Sequence, residues 1–401
     1  MLSLSDIQAA RTRIHDGIVV TPCKRSAALS DLVRGEVFLK LENLQPTGSF
    51  KDRGALNKMR LLDEAQRAAG VIAASAGNHA QAVAHTAQRL GIRATIVMPE
   101  TAPLTKVRGT QAFGADIVLH GASYAEAFEK ASALRDQHGY TFIHAFDDPQ
   151  IIAGQGTIAL ELLEQVPDLD VVICPIGGGG LISGIALGVK EITPQVRFVG
   201  VQAARLASMQ ESILAGKIVS LKSCHTIADG ISIATVGLHT YPLVSRYVTD
   251  IFTVTEDDIA CAIMSLLETE KTLAEGAGAV GVAALYARRI ANLEGKKIVV
   301  IVSGGNIDMS LLSVVLDRGL ETDGRVIHLR VVVPDKPGSI AILAQAVAAH
   351  RANILHIHQD RHGGEVALGE IEVGLSLETK GREHAEAIYA AIRQTGFKIK
   401  P

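Results

Sequence analysis

Residues 171–192 read VVICPIGGGGLISGIALGVKEI. A run rich in β-branched residues leads into four consecutive glycines, Gly177–Gly180, and then into an apolar segment of helical period. The spacing predicts a strand, a turn and a helix. Because the strand is apolar without alternation, it reads as buried on both faces, the habit of parallel sheets covered by helices. The glycines between them admit two readings. A flexible turn is one, but each glycine costs roughly 0.5–1 kcal/mol in chain entropy relative to alanine. An anion nest is the other: bare N–H groups at a helix N-terminus attract a phosphate, and glycine allows the close approach and positive φ that the nest needs. The spacing is neither GxGxxG nor GxxxxGK[ST], so a small phosphate ester is indicated rather than a dinucleotide or a nucleoside triphosphate.

The same rhythm runs outward in both directions. "GVIAAS" precedes "NHAQAVAHTAQRLG", "RATIVMP" precedes "PLTKVRGTQAFG", "ADIVLHG" precedes "SYAEAFEKASALRDQHG", and "RFVGVQ" and "KKIVVIVSGGN" continue the strands. Such βα units predict an α/β fold of open parallel sheets, with ligands at the carboxyl ends of the strands. The rhythm stops near Leu320. The segment 321–325, "ETDGR", reads as a polar linker. From 326 to 401 the order becomes βαββαβ through "RVIHLRVVV", "GSIAILAQAVAAH", "NILHIHQ", "EVALGEIEVGLSL", "GREHAEAIYAAIRQ" and "FKIK", a ferredoxin-like pattern.

Composition narrows the partners. The 401-residue chain is 48% hydrophobic and 20% charged, with a formal net charge of −3 and 4% aromatic residues. Basic residues are scattered and aromatics few, which disfavours nucleic acid and anionic membrane and favours a small molecule. No apolar run approaches the roughly 20 residues of a membrane span. Four separated cysteines without a CxxC pair, and a start lacking the basic-then-apolar layout of a signal peptide, read as cytoplasmic.

Three further strand or loop segments carry chemistry. In "PTGSFKDRG", Pro46–Gly54, Lys51 follows Phe50 in a Gly/Ser turn; it is a solvated surface lysine or a nucleophile with a stacking partner. In "SAGNHAQ", Ser75–Gln81, an N-cap serine suffices for a helix start, whereas Gly77 before the helix points to a close backbone approach, by a carboxylate in particular. "VSGGN" places Ser303 at another strand end. A lysine, a phosphate nest, a carboxylate loop and a strand-end hydroxyl together are what pyridoxal phosphate requires of a protein.

At this point the sequence resembles the serine/threonine dehydratases of the type II pyridoxal-phosphate fold. The likeness runs through "PTGSFKDRG", "SAGNHAQ", "GGGGL", "AEGAGA" and "SGGN", in that order, over about the first 320 residues. The tail with "VVVPDKPGSIAILAQAVAAHRANI" resembles an ACT regulatory domain, so the whole chain resembles threonine ammonia-lyases with one such domain. The resemblance implies a tryptophan synthase β-like catalytic region over 1–320, with a smaller subdomain at roughly 48–147 inserted in a larger one. It implies that Lys51 carries the cofactor and Phe50 packs beside it. Gly177, Gly178, Gly179, Gly180 and Leu181 are then the phosphate seat, Asn78 the partner of the ring hydroxyl, and Ser303 the partner of the ring nitrogen. Ser75 and the backbone of Gly77, Asn78 and His79 hold the substrate carboxylate, and Glu275 lies near the ring. The activity implied is dehydration of L-threonine, then L-serine, to a 2-oxo acid and ammonia. A 3-hydroxyaspartate dehydratase and a catalytically inactive amino-acid sensor are the alternatives.

Several finer expectations follow. Serine racemases resembling this chain have "SSGN" where it has Ala76, and a methyl cannot reprotonate the opposite face of Cα. The segment Gln202–Ser208 lacks the carboxylates those racemases use for a divalent ion, so no divalent metal is expected there, and a monovalent cation is left open. Asp52 and Arg53 read as a pair that orients the lysine turn. In the tail, Asp335 and Gly338 open a helix whose N-terminus suits an amino-acid carboxylate, and Asn353 begins the next strand close by. That site is expected to take a branched-chain amino-acid effector, between the subunits of a homodimer or homotetramer. His356 and His358 read as one polar face of a strand rather than a metal site.

Overall fold

The apolar runs form three sheets and the Ala-rich segments form helices in a computed structural model that describes residues 2–361 and 366–400. Glu365, where one expected strand segment opens, lies outside them. The chain divides into two compact units, Met1–Met309 and Ser310–Pro401. In chain order the strands of the first are β1 (Cys23–Ser26), β2 (Glu36–Leu41), β3 (Val71–Ala74), β4 (Ala94–Met98), β5 (Asp116–Leu119), β6 (Thr141–Phe142), β7 (Val171–Pro175), β8 (Arg197–Ala203), β9 (Asp250–Val254) and β10 (Lys297–Val302).

The larger sheet has the order β1-β2-β10-β7-β8-β9, parallel except for β1. The smaller has the order β5-β4-β3-β6 and is parallel throughout. Every residue of β7 and of β3 is buried, which is why these strands show no polar alternation in the sequence. Parallel neighbours end side by side. The glycine quartet after β7 therefore lies beside Ser303 after β10, and Ser75 after β3 lies beside the segment that follows β6.

One helix spaces the site. Helix Pro149–Gln165 begins with proline in its first turn and is capped by Asp148, whose carboxylate accepts Gln150 N at 2.7 Å and Ile151 N at 3.3 Å. Its two glycines touch two different neighbours. A Cβ at Gly154 would sit 2.7 Å from both Arg53 O and Gly54 Cα, on the helix Lys51–Arg60. A Cβ at Gly156 would sit 2.9 Å from Gly184 O, on the helix Gly180–Lys190. Neither space admits a side chain, so the backbones of three helices pack directly on one another.

In the second unit, β11 (Val326–Pro334), β12 (Asn353–Asp360), β13 (Glu370–Glu378) and β14 (Lys398–Lys400) form an antiparallel sheet of order β12-β13-β11-β14. Leu329, Val331, Val373 and Leu375 form its core with Leu343 of helix Ser339–Ala349 and Ile388 of helix Arg382–Gln394. With the helices between the strands, this is the βαββαβ order. A helix, Met309–Thr322, occupies the first two residues of the segment read as a linker. His356 and His358 stand opposite Ser376 and Gly374, and a Cβ at position 374 would overlap the His358 ring. Among the described residues, no group of three or more His, Cys, Asp or Glu is placed to hold a metal ion, and no helix is long and apolar enough to cross a membrane.

Candidate active site

Lys51 is the first residue of its helix, and the turn before it is stitched to the end of β10. Phe50 N donates to Ser303 O at 3.1 Å and Gly305 N to Gly48 O at 2.9 Å. Gly48 holds φ +77 there, a conformation that suits glycine. Lys51 Nζ donates to Ala145 O at 2.6 Å and lies 5.1 Å from the centroid of the Phe50 ring. Burial pulls the amine down to about 8, with Glu275 acting in the opposite direction. Roughly a tenth of such an amine is free base at pH 7, against well under one in a thousand for an ordinary lysine.

Asp52 and Arg53 do not pair with each other, contrary to the sequence expectation, because successive helical side chains diverge. Asp52 accepts Thr47 N at 2.9 Å and Thr47 Oγ1 at 2.7 Å. Arg53 is fully buried and forks onto two carboxylates: Glu42, at 2.8 Å from both Nε and Nη2, and Glu161, at 2.6 Å from Nη1 and 2.9 Å from Nη2. Buried Lys40 reaches Glu161 at 2.6 Å. Two cations and two carboxylates thus anchor the lysine helix.

The asparagine loop forms a second strut. Ser75 Oγ accepts Gly77 N at 3.2 Å, and helix Asn78–Leu90 makes its first bond from Gln81 N to Gly77 O. The N–H groups of the preceding turn have no intrahelical acceptor and are available to an anion. No protein atom lies within 4 Å of a Cβ built at Gly77, so the protein's own packing does not demand glycine there. His79 is buried and placed 2.8 Å from Ile143 O through Nε2; burial and Lys51 push its pKa down to about 3, and the ring is neutral. Asn78 Nδ2 donates to Glu275 Oε1 at 2.6 Å, while Asn306 Nδ2 donates to Asn78 Oδ1 at 2.9 Å and to Thr47 O at 2.6 Å. Burial, with Asp229 adding to it, lifts the Glu275 carboxyl to about 7.

At the nest, helix Gly180–Lys190 starts after Gly179, which holds φ +97. Cβ atoms at Gly178 and Gly180 would press into Phe146, and one at Gly179 would lie 2.8 Å from Met209 Cε. Leu181, next in the helix, is buried. Phe146 follows the Ala145 carbonyl that holds Lys51, so one short segment touches both the lysine and the nest. Phe146 and Glu42 carry no local sequence signal for these contacts, "HAFDDP" showing only a helix start, whereas Asn306 closes the "SGGN" stretch.

Together these residues fit pyridoxal phosphate. A lowered amine bonded to a carbonyl rather than a carboxylate, a helix N-terminus with a left-handed glycine, and the buried Ser303 at the adjoining strand end meet the cofactor's separate needs.

In the second unit, Gly338 caps helix Ser339–Ala349 with φ +96, and Asp335 is 3.3 Å from Arg361 Nη2. Asn353 is not close to them. It stands opposite Glu378, whereas Pro334 stands opposite Glu370 at the other end of β13. Eight residues of strand separate the two ends, roughly 26 Å at about 3.3 Å per residue. The reason is the crossover: the helix returns the chain to the end where β11 began.

Residues 14–304 match the family described as pyridoxal-phosphate dependent enzyme, and residues 327–396 match the ACT domain. The L-threonine ammonia-lyase of Thermotoga maritima is 43% identical over 400 residues, covering 100% of this chain and 99% of that one. Among solved structures, the processed form of threonine deaminase isoform 2 from Solanum lycopersicum is 38% identical with a TM-score of 0.75, over 79% of this chain and 92% of that one. Maize serine racemase is also 38% identical with a TM-score of 0.75, over 80% and 98%. With the lysine, the nest and the strand-end serine assembled at one place, and a family match across most of the first unit, the chain belongs to the pyridoxal-phosphate dependent enzymes and ends in an ACT domain.

Proposed function

We propose that this chain is an ammonia-lyase that converts L-threonine, and L-serine second, to a 2-oxo acid and ammonia. The observation that carries the proposal is the junction of Lys51, Ala145 and Phe146: the residue that follows the carbonyl holding the lysine packs on Gly178 and Gly180. The Thermotoga relative, named for threonine and similar end to end, supports the choice of substrate.

Pyridoxal phosphate, when bound, draws electrons from Cα of the amino acid and so makes its proton acidic. Lys51 holds the cofactor and then takes that proton, its amine brought into range by burial. Phe50 would flank the cofactor beside the lysine, Ser303 would serve its ring nitrogen, and Asn78 would serve its ring hydroxyl. A serine at that nitrogen does not hold it protonated as a carboxylate does, which favours loss of the β-hydroxyl over transamination. Gly177–Gly180 and Leu181 hold the phosphate, and Ser75 with the N–H groups of Gly77, Asn78 and His79 holds the substrate carboxylate. A second carboxylate, as in 3-hydroxyaspartate, lacks an obvious counter-ion: His79 is neutral, and Lys106 is paired with Asp229 at 2.5 Å. The deciding experiment is steady-state release of ammonia from threonine, serine and 3-hydroxyaspartate. Threonine is expected to give the highest kcat/KM; no turnover of any of the three leaves the inactive sensor as the reading.

The ACT domain takes an amino acid at the Asp335–Gly338 turn. Beside it the hydroxyl of Ser339 is buried without a partner, a donor suited to a carboxylate. Antiparallel pairing of two β12 edges would carry Asn353 of the partner subunit to the same end of the sheet as that turn, which fits a site shared in a homodimer or homotetramer. A branched-chain amino acid is the effector, isoleucine inhibiting and valine opposing it. Threonine saturation curves with and without each amino acid test this; a coupling of roughly 1–3 kcal/mol shifts apparent affinity about 5–150-fold. Identical curves, with no heat of binding, leave the domain a pairing module.

A further inference from the structure

We propose that His144 is a positioning residue for Lys51, acting through the carbonyl of Ala145. This rests on the reading of Lys51 as the reacting lysine. Ala145 O accepts from Lys51 Nζ at 2.6 Å, and nothing in a methyl side chain fixes where that carbonyl points. His144 does so from one residue away. Its Nδ1 accepts both Phe146 N at 3.2 Å and Asp147 N at 2.8 Å, closing a turn around residue 145. Accepting two N–H groups requires a lone pair on Nδ1, so the ring is neutral and its proton sits on Nε2.

The surroundings keep it that way. Phe146, Phe142 and Phe128 lie 4.8, 6.2 and 6.3 Å from the imidazole, centroid to centroid. Burial lowers its proton affinity, Lys51 and His239 push in the same direction, and Asp147 and Asp148 oppose them; the remaining neighbour, His79, is itself neutral. Beyond the turn, Asp147 accepts Leu238 N at 2.9 Å and His239 N at 2.8 Å, which fixes the far end. Among the described residues, only the His144 nitrogen spans residue 145.

An amine that exchanges a proton with a substrate carbon works best when it waits in one orientation, and a fixed carbonyl acceptor supplies one. A carbonyl also favours the charged amine, so releasing it makes Lys51 a weaker binder of protons.

The test uses cofactor-free protein and labelling with dinitrofluorobenzene from pH 6 to 10, with label on Lys51 read by mass spectrometry. His144→Leu is expected to move the labelling midpoint down by about one unit, from about a tenth of the amine free at pH 7 to about half, roughly a fivefold rise. His144→Asn, whose Oδ1 can accept the same two N–H groups, is expected to stay at the wild-type midpoint. With cofactor and threonine, His144→Leu is expected to lose kcat at nearly constant KM. A folded His144→Leu protein with an unshifted midpoint overturns the proposal. Should that variant not fold, nitrogen NMR of the wild-type imidazole decides: at pH 8 a proton on Nε2 with Nδ1 unprotonated supports the assignment, and a proton on Nδ1 overturns it. Labelling needs neither cofactor nor substrate, so a wild-type protein with these properties but no threonine turnover overturns the ammonia-lyase reading alone.

Discussion

Asn78 and Glu275 are joined by a 2.6 Å hydrogen bond between residues 197 positions apart, and the carboxylate that accepts it is buried. Asn306 grips the other arm of the same asparagine and the backbone of Thr47. The chain of contacts ties the asparagine loop and the lysine turn to the larger sheet.

That bond has a pH signature. The folded carboxyl, lifted by burial from 4.5 to about 7, keeps its proton where the unfolded chain has already lost it. The contribution of Glu275 to the stability of the cofactor-free protein therefore falls as pH rises from about 4.5 to about 7 and then levels. In Glu275→Gln the acceptor oxygen remains and the titration is gone. Its stability relative to wild type should rise across that window by an amount on the order of 3 kcal/mol. Urea unfolding at pH 5 and pH 8 measures it; an equal difference at both pH values refutes the argument.

Arg53→Met strands Glu42 without its guanidinium, while Glu161 keeps Lys40. Loss of one partner from a buried pair costs about 3–5 kcal/mol. Cofactor-free thermal unfolding should show a clear drop in Tm, and Lys40→Met, which leaves the Arg53 fork in place, a smaller one.

Borohydride reduction of the purified yellow protein should fix the cofactor on Lys51, located by peptide mass spectrometry. Lys51→Ala should lose both the label and threonine turnover, by at least about 10²–10⁴-fold for a missing proton-transfer group. Label on any other lysine contradicts the assignment.

Solved serine racemases share this fold, yet Ala76 offers no proton to the second face of Cα. Incubation with L-serine should give pyruvate and at most traces of D-serine by chiral chromatography. Substantial D-serine would show that another group does the reprotonation.

The parts legible in the sequence are those where chemistry is local. Four glycines after an apolar strand, and a lysine in a Gly/Ser turn, carry their reasons within ten residues, and the βα rhythm carries the fold because buried strands and amphipathic helices have distinct periods. Arg53 illustrates the opposite case. Its partners stand 11 and 108 positions away, and no residue near it announces either carboxylate. His144 looks like any loop histidine until the turn around Ala145 is seen. Asn353 misled because proximity in sequence says nothing about which end of a sheet a crossover returns to.

Gly154 and Gly156 turn the helix that carries them into a calliper. Its jaws are the helices Lys51–Arg60 and Gly180–Lys190, each meeting a glycine of it main chain to main chain, so the spacing of those two helices is largely a dimension of the backbone. Substitutions elsewhere in the core can loosen or tighten the protein while that span stays as it is. Gly154→Ala, by contrast, changes the gauge itself, and wedging the two helices apart would misfit the cofactor before it unfolded the chain.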